Sequence, residues 1–168
     1  MSKAVRKADL EYYEPITDPS GPAMTESMFA IGWLELGEKD KAVQSFFSSQ
    51  RNMQPPFDVW SETANPNDHD FDEGISNFIT GAGGFLQSVI NGYGGVRVRE
   101  NEMIVNPSIY VPGWKGMKLR GLHYRNAVLD ISWNSTTTLL LLAQCEAKNT
   151  TSCAMQVGRP KPGTIAKI

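Results

Sequence analysis

The chain has 168 residues, of which 40% are hydrophobic and 20% charged, with a formal net charge of −2; this is the make-up of an ordinary globular protein of one domain or slightly more. It has no basic block and no RNA-binding or helix-turn-helix signature, so nucleic acid is not expected as a partner. The longest aliphatic run, Leu139 to Ala143, is far too short for a membrane span, and no membrane partner is expected.

Met1 to Lys7 carries charge with no apolar stretch behind it, so it does not read as a secretory signal and looks instead like the middle of a helix. Localisation stays unknown, cytoplasmic for the chain as written. Cys145 and Cys153 have the option of pairing in an oxidising compartment, but two cysteines define no framework. Asn134-Ser135-Thr136 and Asn149-Thr150-Thr151 are glycosylation sequons that matter only in a secreted chain.

In chain order, a charged segment to Leu10 is followed by Tyr12 to Pro22, where three prolines and Gly21 predict a loop of fixed shape. Met24 to Leu36 reads as a largely buried helix ended by Gly37. Asp40 is placed to cap a second helix, with Val43, Phe46 and Phe47 inward and Lys39, Lys41 and Gln44 outward. The connection is short, so the two helices are expected to be neighbours.

Pro55 and Pro56 break that helix and deliver Phe57 to Glu62. After an acidic loop, Ile75, Phe78, Ile79, Ala82, Leu86, Val89, Ile90 and Tyr93 recur at offsets of three and four, predicting a long buried helix. Gly81, Gly83 and Gly84 in its middle each cost about 1 kcal/mol relative to Ala, which points to close packing or room for a ligand. From Val96 the period becomes that of strands: Val96 to Arg99, Met103 to Val105, Lys118 to Tyr124, Ala127 to Trp133 and Thr136 to Leu142. Lys148 to Ile168 is too poor in apolar residues to pack and reads as a loose tail.

The expected organisation is α+β, with helices over 1–95, a small antiparallel β domain over 96–145 and a tail over 146–168. Two short helices cannot cover the long apolar face of the third, so a larger protein or self-association through the uncovered helical face is expected.

Several blocks carry a family resemblance. Tyr12-Tyr13-Glu14-Pro15, Thr17 to Thr25, Ser27 to Trp33, Val59-Trp60-Ser61-Glu62 and Asn77-Phe78 with Gly81 to Gln87 resemble the C-terminal part of family 65 glycoside hydrolases, in the acid trehalase-like branch. The resemblance implies the last helices of an (α/α)6 barrel followed by a β domain. It also implies an inverting α-glucoside hydrolase releasing glucose from an α-linked disaccharide unit of glucosylgalactosylhydroxylysine or trehalose type. Inversion uses two carboxyls, an acid for the leaving oxygen and a base that activates water. Glu62 matches the family's general base, while the family's acid falls upstream of Met1, so the chain taken alone is expected to be inactive.

Read without the family, a lone Glu beside a Trp on a loop, as Glu62 is, is usually a hydrogen-bonded or solvated surface group. Trp60 either stacks on a sugar or packs in the core. Tyr13, Glu14 and Asp18 either line a substrate pocket or brace their loop. Asp18 stands where related phosphorylases bind phosphate, and its charge favours a hydrolase. Glu26 replaces an aromatic of the family pattern, either facing solvent or repelling other carboxylates.

The alternation Asp68, Asp70, Asp72 resembles a calcium loop, but Glu73 stands at the turn position and Ile79 at the twelfth, so a solvated acidic loop is expected. His69 and His123 are far apart, and neither a metal nor any other cofactor is expected. Gly81 to Gly84 lacks the setting of a phosphate loop. The alternative to catalysis is a non-catalytic remnant that binds carbohydrate or a protein partner.

Overall fold

The Ser2 hydroxyl accepts from the N–H of Val5 at 3.3 Å and so caps the first helix, α1, Lys3–Tyr13. The computed structural model describes residues 1–22, 24–63, 77–108, 111, 113–135, 138–145 and 166–167, the last two segments as backbone only. Helix α1 takes in Tyr12 and Tyr13, which the proline content had placed in a loop. It passes directly into a 3-10 turn, Glu14–Ile16, with Pro15 near its start. A proline there loses no needed N–H, so it does not force the break that one inside a helix would.

Helix α2 spans Thr25–Leu36, and Gly37 ends it at φ 83°, giving its N–H to the Leu34 carbonyl at 3.1 Å. That left-handed turn is one glycine adopts without steric cost. Helix α3 spans Lys39–Ser48 with Glu38, not Asp40, at the N-cap position, where its side chain makes no capping bond; Asp40 lies inside the first turn, where its charge meets the positive end of the helix. Phe46 is buried as expected, but Phe47 points outward. Lys7 and Glu38 pair at 2.6 Å, Arg6 pairs with Glu35, and Lys41 lies 4.2 Å over the Trp33 ring.

A two-stranded hairpin follows, β1 (Met53–Gln54) against β2 (Val59–Trp60), with Met53 opposite Trp60. Helix α4 runs Ile79–Gln87 and widens into a π turn over Ser88–Tyr93. The expected start at Ile75 lies outside the described residues. The expected apolar stripe is buried only in part, Tyr93 fully and Phe78, Ala82, Val89 and Ile90 by half, while Ile79 is 81% and Leu86 56% exposed; Gly81, Gly84, Ser88 and Gly92 are buried beside it. A methyl on Gly81 would come within 2.7 Å of Trp60 Cδ1, and one on Gly84 within 3.0 Å of Ser27 Oγ. Close packing of the Trp60 and Ser27 side chains against the helix backbone explains those two glycines. Nothing lies within 4 Å of the same position on Gly83.

The chain divides into two compact units, Met1–Gly92 and Tyr93–Ile168. Trp33, Ala30, Ala42 and Phe46 form the buried centre of the first, with Phe85 5.4 Å from both the Phe46 and Trp60 rings.

The second unit holds two antiparallel three-stranded sheets. One orders β3 (Val96–Val98), β4 (Met103–Val105) and β8 (Ala166–Lys167) side by side, so the expected loose tail contributes a short strand. The other orders β5 (Gly116–Tyr124), β6 (Ala127–Asn134) and β7 (Thr138–Cys145). On β6, Leu129, Ile131 and Trp133 alternate inward with full or nearly full burial, as the period of two requires. Gly95, at φ 60°, passes so close to Asn106 that any side chain would strike its carbonyl. Burial alone pushes the Tyr93 phenol up to about 12.

Charge is unevenly shared: the first unit has 6 Lys and Arg against 14 Asp and Glu, the second 10 against 4. The architecture is therefore α+β, with helices and small antiparallel sheets. Among the described residues, no helix is long and apolar enough to cross a membrane.

Candidate active site

Glu62 follows β2 directly, and the segment carrying it is tied down through its backbone. The Ser61 N–H donates to the Asn52 carbonyl at 2.9 Å, and Asn52 Nδ2 donates to the Glu62 carbonyl at 2.9 Å. One residue earlier, Trp60 Nε1 donates to the Ser49 carbonyl at 2.9 Å, and the Trp60 carbonyl accepts from the Phe78 N–H at 2.7 Å. The Glu62 side chain is half-buried, and among the described residues its carboxylate takes part in no hydrogen bond or ion pair.

Trp60 is half-buried, with its ring against Phe85 and over Gly81 and its one donor committed to Ser49. These contacts give it a packing role in the first unit.

Glu14 has both carboxylate oxygens engaged: Oε2 accepts from Trp33 Nε1 at 2.7 Å and Oε1 from Ser45 Oγ at 2.6 Å. It joins the turn after α1 to helices α2 and α3. Asp18 Oδ1 accepts from the Ser20 N–H at 2.8 Å and from Ser20 Oγ at 2.7 Å. The backbone bond from Ser20 first, then its hydroxyl, hold the Asp18 carboxyl below the usual range. Tyr13 is 56% exposed, its ring edge-on to Tyr12 at 5.0 Å, and its carbonyl accepts from Thr17 Oγ1 at 2.8 Å. No hydrogen bond links Glu62 to Tyr13, Glu14 or Asp18 among the described residues.

Glu26 neither faces solvent nor stands against another carboxylate. It is 6% exposed, and its Oε1 lies 2.6 Å from Arg51 Nη2. Sequence reasoning missed Glu26, Arg51 and Asn52 as a group, because a buried ion pair between residues so far apart leaves no periodic signal. Asp68, Asp70, Asp72, His69 and Cys153 lie outside the described residues, as does the side chain of Cys145.

A carboxylate with no committed partner, beside an aromatic and on a braced segment, fits a proton acceptor or an activator of water. No family model matches the chain. It is 40% identical over 150 residues to the protein-glucosylgalactosylhydroxylysine glucosidase of Danio rerio, covering 89% of this chain and 22% of that protein. It is 36% identical over 120 residues to the kojibiose hydrolase of Mucilaginibacter mallensis, covering 69% of this chain and 16% of that one. A solved structure assigned as a kojibiose phosphorylase, from the human microbiome, matches with a TM-score of 0.64 at 14% identity, covering 100% of this chain and 22% of its own. At that identity the structural match speaks for the fold.

The chain thus spans about a fifth of the length of the curated relatives it matches. Over that span it is a relative of these glucosidases and hydrolases, and the glycoside-hydrolase resemblance read from the sequence holds.

Proposed function

We propose that the chain is the C-terminal segment of an inverting α-glucoside hydrolase, contributing the last helices of an (α/α)6 barrel, and that Glu62 is its general base. The observation that carries this reading is the similarity to enzymes named as glucosidase and kojibiose hydrolase over most of this chain. The site supports it, because among the described residues the Glu62 carboxylate has no partner, unlike those of Glu14 and Asp18, while its backbone is fixed.

In inverting hydrolysis the base takes a proton from a water on the face opposite the leaving group, and an acid supplied elsewhere protonates the leaving oxygen. Glu62 supplies the first of these. Trp60 anchors the strand that leads into it, and Tyr13 is the candidate with an exposed ring to offer a sugar. Ile79, Leu86, Met24, Met28 and Phe47 are exposed on the helical unit. They form the surface that the rest of such a barrel, or a second copy, would cover.

The test is release of glucose from α-linked glucosyl disaccharides by a full-length form, with the anomer followed by NMR. β-Glucose as the first product, lost in Glu62→Gln, is expected. α-Glucose as the first product, or full activity in Glu62→Gln, would overturn the assignment. Sugar binding without turnover would favour a carbohydrate-binding remnant.

A further inference from the structure

We propose that Asn52 is the positioning residue for Glu62, fixing the base through its backbone and leaving the carboxylate free to react; this rests on the reading of Glu62 given above. Asn52 is fully buried, at 0% exposure, in the turn between α3 and β1. It holds the segment by both of its arms, the main-chain carbonyl on Ser61 N–H and the side-chain amide on the Glu62 carbonyl. Together these set the direction in which the Glu62 side chain leaves the chain.

Burying an amide costs free energy unless its groups are bonded, and Asn52 Oδ1 has no hydrogen-bond partner among the described residues. A side chain serving only to fill the core would carry no such cost. The residue is anchored in turn: the Met53 N–H donates to the Gln50 carbonyl at 3.0 Å, and the neighbouring Arg51 is held by buried Glu26. The chain of support runs from α2 through Glu26 and Arg51 to Asn52, and from there to Glu62.

Such an arrangement acts on rate more than on binding, since a displacement of about 1 Å at a reacting group costs on the order of a hundredfold. Asn52→Ser and Asn52→Asp both remove the amide donor, and the second keeps the volume. In a full-length form, with rates normalised to folded protein, kcat is expected to fall about thirtyfold or more while KM stays within about threefold. In the chain itself, amide exchange at Ser61 should accelerate about tenfold while that at Ala30 and Ala42 is unchanged.

A purely structural role would lower the folded fraction and leave kcat per folded molecule alone. If Glu62→Gln is inactive and both Asn52 variants keep kcat within about twofold, the positioning role falls and the base assignment survives. If Glu62→Gln is active, both fall. Should Asn52→Asp fail to fold, Asn52→Ser carries the same comparison with a smaller side chain.

Discussion

Glu14 and Glu62 are both half-buried glutamates beside aromatic residues in the first unit, yet they are built in opposite ways. Glu14 spends its side chain: each oxygen is taken by a donor from a different helix, and the carboxylate serves as a tie. Glu62 spends its backbone and keeps the side chain. A carboxylate whose oxygens are satisfied in the folded state stabilises the fold and has little left for a substrate. One held only by its main chain is fixed in place without being used up.

The largest effect that would sharpen this contrast is on activity. In a full-length form Glu62→Gln is expected to lower glucose release by about a thousandfold, within the range for general base catalysis, with melting temperature unchanged. Glu14→Gln should do the reverse, leaving chemistry intact while weakening the hydrogen bonds to Trp33 and Ser45. A loss of roughly 2 kcal/mol in urea unfolding is expected, as for hydrogen bonds to a charged group. If Glu62→Gln unfolds the chain and Glu14→Gln abolishes turnover, the roles are exchanged.

The packing of Trp60 on helix α4 gives the next test. Gly81→Val pushes a branched side chain into Trp60, so a loss of about 1 to 3 kcal/mol is expected from overpacking, together with a weakened hairpin. Gly83→Ala meets nothing and removes a helix-weakening glycine, so it should stabilise by up to about 1 kcal/mol. Equal effects at the two positions, measured by thermal melts, would show that the Trp60 ring is not packed closely on Gly81.

The smallest effect is electrostatic. The hydrogen bond from Lys7, followed by its charge, lowers the Glu38 carboxyl, and the same bond raises Lys7 above 10.5. The Glu38 contribution is present above its unfolded value of 4.5 and is lost as pH falls through the lower folded value; that of Lys7 is present below 10.5 and is lost as pH rises through the higher one. Both groups are exposed, so Lys7→Met should flatten the melting-temperature profile at acid pH only slightly, and less still at high salt.

Helix α2 and its glycine stop, the neighbouring α3, and the change to strands after Val96 were all legible, because each rests on local signals of period or turn chemistry. The packed face of α4 was not. Periodicity marks where apolar residues recur, and here the helix packs by its glycines together with Phe85, while Ile79 and Leu86 stay outside. For the site, Glu62 came from family resemblance and not from its own surroundings. Asn52, which grips it, sits in a stretch with no motif, and its importance depends on a contact across the hairpin that no local pattern encodes.

The uneven sharing of charge has a practical consequence. A net charge of −2 describes a nearly neutral protein, but the chain is a zwitterion on the scale of whole units, with an excess of 8 negative charges in one and 6 positive in the other. Ion-exchange resins of either sign should retain it near neutral pH, each gripping a different half, and added salt should release it from both.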